Sequence, residues 1–245
     1  MQLFCTFLPH VLGLAGALFL LARFGRTQPW LLLVSLALYG LLFLVLVGFT
    51  PNHWLRASAT PETVAAHAPR PSTAVILGFG YDIAGEKMLP GPANQFLVDW
   101  VLHNEPQIQT FLVQEGVLVA LSPTQLREKT VRRIHRHDPK IYVDTLDTAF
   151  CAMQQLQQRH EQSVLLVSHD MQLQRAVWDF ARVQRQLCAT CTLVVPPLPV
   201  TPYPAQSVHL QTRNAFLYKL LEILYLRPRD LIRPLPTTCK APIEE

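Results

Sequence analysis

The residues best suited to chemistry in this 245-residue chain stand in four short groups, each after a run of apolar or β-branched residues. These groups are Gly78 to Asp82, Gln114 to Gly116, Asp144 to Thr148 and Ser168 to Asp170. Glycines after a strand let backbone N–H groups face an anion, and carboxylates or imidazoles can act as general bases. Arg175, soon after the last group, could hold a phosphate or a carboxylate. The pattern predicts a site for a small anionic ligand.

The candidate residues divide by role. The ligand-binding candidates are Gly78, Gly80, Asp82, Asp144, Thr145, Thr148, Ser168, Asp170 and Arg175. The catalytic candidates are Asp147 and His169, either of which would be the base in phosphoester or sugar-phosphate chemistry. Structural roles compete with these: a tight turn at the glycines, helix capping in the last group, and Thr145 as an N-cap with Asp147 in the first turn. Whether the protein is an enzyme stays open.

Common catalytic and metal motifs are absent from the sequence. Gly78 and Gly80 lack the third glycine of a dinucleotide fingerprint and the Lys-Ser/Thr of a P-loop. Ser168 to Asp170 are consecutive, whereas a catalytic triad is a spatial arrangement, and no Gly-x-Ser-x-Gly elbow is present. A solvated turn explains His135 to Asp138, and the pair in Cys188-Ala-Thr-Cys191 lacks the partners that zinc requires. That pair could oxidise outside the cell. No metal site is predicted, and whether a cofactor binds stays open.

Strands and helices must alternate to position the four groups. The predicted strands are Thr73 to Gly78, Gln109 to Val113, Lys140 to Val143, Ser163 to Ser168 and Cys191 to Val195. The predicted helices are Pro92 to Asn104, Pro123 to His135, Asp147 to His160, Leu173 to Gln186 and Val208 to Leu226, with Glu115-Gly116 as a turn. Such alternation predicts an α/β fold with a mostly parallel, doubly wound sheet, in which ligands bind beyond the carboxyl ends of the strands.

The apolar residues are concentrated near the N-terminus. Half of the chain is hydrophobic and the mean hydropathy is +0.20, which excludes a disordered protein. The net charge of +4 is too small to indicate nucleic-acid binding. Residues 3–22 and 29–49 form two runs without formal charge, and about 20 residues of helix cross about 30 Å of hydrocarbon. The sequence therefore predicts a transmembrane hairpin in residues 1–50, with helices over 3–24 and 29–50.

Charge beside the two apolar runs predicts their orientation. Arg23 and Arg26 lie in the short link between the runs, so the positive-inside rule places this link in the cytoplasm. Arg56 and Arg70 follow the second run and favour the opposite orientation. We expect a two-pass protein with a linker at 51–72, an extracytoplasmic α/β domain at 73–233 and an extended tail at 234–245. The alternative is a cytoplasmic domain with inverted topology.

The later groups resemble the bacterial SanA/ElyC/YdcF family. Thr145-Leu-Asp-Thr148, the strand Val164 to Ser168 and the pair Arg175-Ala176 follow the family pattern, as does the early strand Val75 to Gly80. The resemblance covers about residues 73–226. It implies a Rossmann-like domain on the bacterial inner membrane, with a role in the cell envelope: barrier maintenance, or peptidoglycan or lipid-carrier metabolism.

Two departures from that family pattern weaken the catalytic hypothesis. Gln114-Glu115-Gly116 stands where the family has Ser-Gly-Gly, and Met171-Gln172 replaces its aromatic-His pair. The leading hypothesis is an envelope protein that binds a small anionic or envelope-derived ligand and has the lipid bilayer as a partner. The alternative is a non-catalytic accessory subunit that associates with other integral membrane proteins. No nucleic-acid partner is expected.

Overall fold

The structure, a computed structural model, divides into two compact units, Met1–Thr50 and Pro51–Glu245. It describes residues 70–135, 143–187, 190–222 and 232–239, together with residues 16, 30, 33, 34 and 37–42. Within these residues, no helix is long and apolar enough to cross a membrane. Most of the predicted transmembrane hairpin and nearly all of the predicted linker lie outside the described residues.

The second unit is an α/β fold around a five-stranded parallel sheet of order β5-β4-β1-β6-β7. The strands are β1 (Thr73–Ile76), β2 (Asp82–Ala84), β3 (Lys87–Leu89), β4 (Thr110–Val113), β5 (Thr130–Arg133), β6 (Ser163–Val167) and β7 (Thr192–Val194). The helices are α1 (Gly91–Asn104), α2 (Glu115–Leu118), α3 (Pro123–Glu128), α4 (Thr145–Gln158), α5 (Asp170–Leu187) and α6 (Ala215–Leu221), with a 3₁₀ helix at Leu210–Thr212.

Both faces of the sheet are covered, as expected for strands that are apolar throughout. Side chains alternate between faces, so Val75 and Leu166 pack with α4 and α5, whereas Ala74 and Phe111 pack with α1 and α2. The three central strands β1, β4 and β6 are buried along their whole length. The prediction of a mostly parallel α/β sheet is therefore confirmed.

The predicted helix from Pro123 to His135 is correct only in its first half. It begins with a capping box, in which Ser122 Oγ accepts from Gln125 N and the Gln125 side chain accepts from Ser122 N. The helix ends at Glu128, and Thr130–Arg133 then forms edge strand β5 beside β4. β-branched residues at 130 and 131 favour a strand, and the open edge of β4 supplies its hydrogen bonds. The strand predicted at 140–143 lies almost wholly outside the described residues.

Three local elements also differ from the sequence prediction. The antiparallel hairpin β2–β3 was not predicted; it turns at Gly85, whose φ is +62°. The predicted Glu115-Gly116 turn forms part of α2. The helix predicted over 208–226 is divided into the 3₁₀ helix and α6, because Asn214 Oδ1 accepts from Leu217 N at 2.9 Å and starts a new helix.

The strand order creates one topological switch point. After β1 the chain moves to β4 on one side, whereas after β6 it moves to β7 on the other side. A crevice therefore opens beyond the carboxyl ends of β1 and β6, where ligands bind in open α/β sheets. The residues that follow these two strands are 77–80 and 168–170, which belong to two of the predicted groups.

A disulfide between Cys151 of α4 and Cys239 joins positions 88 residues apart. This bond was not predicted, because the short spacing of Cys188 and Cys191 had indicated that pair instead. Cys191 is a buried free thiol, and Cys188 lies outside the described residues. Burial, with a smaller contribution from Glu161, raises the pKa of Cys191 to about 11. This thiol is therefore neutral and unreactive at physiological pH.

Core packing on α5 gives a direct test of the fold. Phe180 is fully buried against the sheet, whereas Phe216 on α6 is 40% exposed. We expect Phe180→Ala to lower the free energy of unfolding by about 3–5 kcal/mol, because it leaves a cavity. The matched change Phe216→Ala should cost less than about 1 kcal/mol. Urea unfolding of the full chain in detergent, followed by tryptophan fluorescence, measures both, and equal losses would contradict the assigned packing.

Candidate functional site

The backbone amides of the glycine loop are already hydrogen-bonded to side chains. Gly78 N donates to Gln114 Oε1 at 2.7 Å, and Phe79 N donates to Asn94 Oδ1 at 2.8 Å. A ligand anion would have to displace a carboxamide oxygen to reach either group. The sequence predicted that these glycines present their amides to an anion. At Gly78, however, the amide is bonded to the Gln114 side chain.

Asn94 organises the loops on the α1 side of the sheet. It is fully buried, and its Nδ2 lies within hydrogen-bond distance of three carbonyl oxygens: those of Gly80 at 2.6 Å, Pro90 at 2.7 Å and Gly116 at 3.2 Å. Sequence reasoning missed this residue. The available signal was an asparagine on the helix face formed by Leu97, Val101 and other apolar residues, where a polar group must be hydrogen-bonded.

Gly80 is required by a close approach of the chain to itself. Its φ is +70°, and a Cβ there would lie 2.4 Å from both Ser207 Oγ and Thr212 Oγ1. The same segment is attached to this loop by Val208 N, which donates to the carbonyl of Tyr81 at 3.0 Å. The irregular segment 196–213 thus covers the glycine loop, and contact with this segment explains the glycine without a ligand.

Aromatic side chains occupy the switch-point crevice. Phe79 stacks on His169 with ring centroids 3.7 Å apart, Tyr203 lies 4.7 Å from His169, and Tyr218 lies 5.2 Å from Phe79. His169 is fully buried, and its Nδ1 lies 3.0 Å from Asp170 Oδ1. The candidate base His169 is therefore packed within an aromatic cluster, where a ligand in the crevice would have to displace a ring to reach it.

The two candidate carboxylates of the third group form a capping box at the start of α4. Asp147 N donates to Asp144 Oδ1 at 3.0 Å, and Asp144 N lies 3.4 Å from Asp147 Oδ2. Asp144 is therefore the N-cap, so the alternative interpretation of Thr145 as the N-cap is wrong, whereas Asp147 does lie in the first turn. An aspartate in this position also interacts favourably with the positive end of the helix dipole.

Arg233 binds both of these carboxylates and was missed by sequence reasoning. Its Nη2 donates to Asp147 Oδ1 at 2.7 Å, and its Nη1 forms an ion pair with Asp144 Oδ2. The two aspartates are 7% and 1% exposed, so the guanidinium compensates charge that is largely removed from water. No sequence pattern identifies this contact, since the partners are more than 80 residues apart.

Two glutamines connect the carboxyl-end loops through α4. Gln114 Nε2 donates to Thr148 Oγ1 at 3.0 Å, and Thr148 Oγ1 donates to the Asp144 carbonyl at 2.8 Å. Gln172 Nε2 donates to Thr145 Oγ1 at 3.2 Å. The group Ser168 to Asp170 joins the same network, because Ser168 Oγ donates to Gln172 Oε1 at 3.1 Å. Both glutamines stand where the sequence departs from the SanA/ElyC/YdcF pattern.

The remaining candidates are placed away from this network. Arg175 Nε lies 3.7 Å from Glu222 Oε2, and the two side chains are 9% and 1% exposed. Arg175, expected to hold a ligand anion, thus faces an internal carboxylate. Asp82 begins β2 and is half-buried. Among the described residues, no group of three or more His, Cys, Asp or Glu side chains could hold a metal ion.

Two basic groups near the covering segment lose proton affinity through burial. Desolvation lowers the pKa of His209, which packs edge-on against Tyr81 with centroids 5.1 Å apart. Desolvation also lowers the pKa of Lys219 on α6. A neutral His209 at pH 7 adds no positive charge near the glycine loop.

The chain matches no family model, no curated protein and no solved structure. The resemblance to the SanA/ElyC/YdcF family therefore stays a prediction, and the function is proposed from the site.

Removal of the Asn94 carboxamide tests how the loops are held. We expect Asn94→Ala to lower the free energy of unfolding by about 2–4 kcal/mol, because it leaves buried backbone groups without partners. Asn104, at the exposed end of the same helix, donates to the Trp100 carbonyl one turn earlier. Asn104→Ala should therefore cost less than about 1 kcal/mol in the same chemical denaturation experiment. A similar loss in both variants would show that Asn94 does not secure the loops.

Proposed function

We propose that this is a membrane-anchored cell-envelope protein whose extracytoplasmic α/β domain binds a small envelope-derived ligand at the carboxyl edge of the sheet. The observation that carries the proposal is the polar cluster at the start of α4. There Asp144, Asp147 and Arg233 meet beside the hydroxyls of Thr145 and Thr148. The apolar runs 3–22 and 29–49 serve as the membrane anchor in this proposal.

The chemistry of this cluster favours a ligand rich in hydroxyl groups over a simple anion. The groups first assigned to an anion, the Gly78 amide and Arg175, interact with Gln114 and Glu222. Carboxylates, carboxamides and hydroxyls instead surround the start of α4, and they can exchange hydrogen bonds with the hydroxyls of a sugar. A sugar or sugar-phosphate component of the envelope has this composition.

The proposed location outside the cytoplasm has two independent supports. Disulfides persist in oxidising compartments and are rare in the cytosol, and Cys151 is bonded to Cys239. Arg23 and Arg26 lie between the apolar runs and favour a cytoplasmic link, which would leave the domain outside.

A second candidate function is a non-catalytic accessory subunit of a membrane complex. The observation that favours it is the filled crevice, in which Phe79 and His169 stack where open α/β sheets bind ligands. In this role the domain would provide a surface that contacts the rest of the complex, and the apolar runs would associate with other membrane proteins.

A reporter fusion tests the proposed topology. An enzyme that is active only outside the cytoplasm, fused after residue 72, should be active in growing bacteria because the positive-inside rule places the domain outside. The matched control is the same reporter fused between the two apolar runs, after Arg26, which should be inactive. Activity of the control alone would contradict the proposed orientation.

Ligand retention tests the proposed site. The full chain, purified in mild detergent, should carry a small molecule that is detected by mass spectrometry after denaturation. Asp147→Asn should reduce the retained amount about tenfold or more, because hydrogen bonds to charged groups contribute about 1.5–3 kcal/mol. Asp99→Asn, an exposed change on α1, should leave it unchanged.

The result also separates the two candidate functions. Absence of any small molecule, together with a larger membrane protein that co-purifies in fixed ratio, would favour the accessory subunit. Equal retention in both aspartate variants would place the ligand elsewhere on the protein. Thermal unfolding of each variant verifies that a loss of ligand does not reflect a loss of fold.

A further inference from the structure

The C-terminal strap, defined here as residues 232–239, crosses the helices that flank the candidate site. It has little regular structure, and it contacts α5 through two side-chain hydrogen bonds. Arg182 Nη2 donates to the Arg233 carbonyl at 3.1 Å, and Gln186 Nε2 donates to the Pro236 carbonyl at 2.8 Å. Leu235 packs against the core on this face.

The far end of the strap is attached covalently. Cys239 forms the disulfide with Cys151, which lies on the same helix as Asp144 and Asp147 at its start. Cys151 is 1% exposed, whereas Cys239 is half-buried. An attacking thiolate therefore reaches the Cys239 sulfur more readily than the Cys151 sulfur.

The strap carries the cation that covers the carboxylate pair. Arg233 contacts Asp144 and Asp147, and its side chain is 20% exposed while the carboxylates are 4% and 1% exposed. A ligand that binds these carboxylates from solvent must displace the guanidinium. The disulfide holds the strap in the position that makes this displacement difficult.

We propose that the C-terminal strap is a redox-released cover over the carboxylate pair, opened when a dithiol protein reduces the Cys151–Cys239 disulfide. One partner thiolate attacks the Cys239 sulfur and forms a mixed disulfide, while Cys151 leaves as a thiolate and takes up a proton. The second partner thiol then attacks the mixed disulfide and releases Cys239 as a thiol. The partner is oxidised to a disulfide, and this chain gains two electrons and two protons.

Opening would expose the carboxylates without loss of the domain core. Most of the core on this face, including Phe150, Leu166 and Phe180, lies on α4, β6 and α5, whereas the strap adds Leu235 and Cys239 at its margin. The role of the strap as a gate for a ligand rests on the proposed function, whereas its release by reduction does not.

Carboxyl labelling of the full chain in detergent tests the proposal directly. A water-soluble carbodiimide with glycine ethyl ester is applied before and after dithiothreitol, and the modified residues are measured by mass spectrometry. Reduction should raise the labelling of Asp144 and Asp147 roughly tenfold, since a buried, paired carboxylate becomes accessible to solvent. Exposed Asp99 should be labelled equally in both states, and reoxidation should restore protection.

Variants separate the disulfide from the guanidinium. Cys239→Ser should label like the reduced protein without any reductant, whereas the neighbouring change Thr238→Ser should keep the redox response. Arg233→Gln should raise labelling in the oxidised state, because it removes the cation while leaving the disulfide. Arg132→Gln, at an exposed position of β5, is its matched control and should have no effect.

Two results would overturn the proposal. The first is unchanged labelling of both aspartates although mass spectrometry shows full reduction of the disulfide. The second is alkylation of buried Cys191 on reduction, which would mean that the disulfide maintains the core and does not hold a releasable strap. Because the labelling requires no ligand, a protein that carries no ligand even when it is purified in the reduced state, but whose labelling responds to dithiothreitol, would contradict the proposed function alone.

Discussion

Backbone polar groups at the carboxyl edge of the sheet are covered by the segment 196–213, so they must find hydrogen-bond partners inside the protein. Carboxamide side chains meet this constraint because each both donates and accepts. Asn94 joins the backbone on either side of Gly80 to the start of α1, and Gln114 joins Gly78 to α4. The tight packing at Gly80 and the filled crevice follow from the same covered edge.

The charged groups at this edge must also find their partners inside the protein. Two nearly buried aspartates cap α4, and their proximity to each other demands a nearby cation. The chain supplies Arg233 from its C-terminal end, where the disulfide to α4 restricts the movement of the strap. The capping box, the ion pair and the disulfide thus act on a single helix, and Gln114 and Gln172 connect this helix to the other loops that were expected to bind a ligand.

Any ligand at this edge must compete with interactions that the protein already makes with itself. The strap offers one way to remove part of that competition, because release of Arg233 would free two carboxylates at once. In the crevice, by contrast, Phe79 packs in a buried cluster with Ala93, Met171 and Tyr218, and His169 stacks on it. A site around α4 is therefore more accessible to regulation than a site in the crevice itself.

The sequence alone determined the parallel sheet and the order of its main elements, because buried strands are apolar along their whole length. It also determined that the candidate groups converge, because the carboxyl ends of parallel strands share one edge of the sheet. The predicted boundaries of helices and strands were wrong where contacts with neighbouring elements decide them. The example is β5, which forms because β4 offers an open edge. The sequence could not show that Arg175 faces Glu222, that Arg233 covers Asp147, or that Cys151 pairs with Cys239. These contacts join residues 47 to 88 positions apart, and local sequence patterns carry no information about such pairs; only the path of the folded chain decides them.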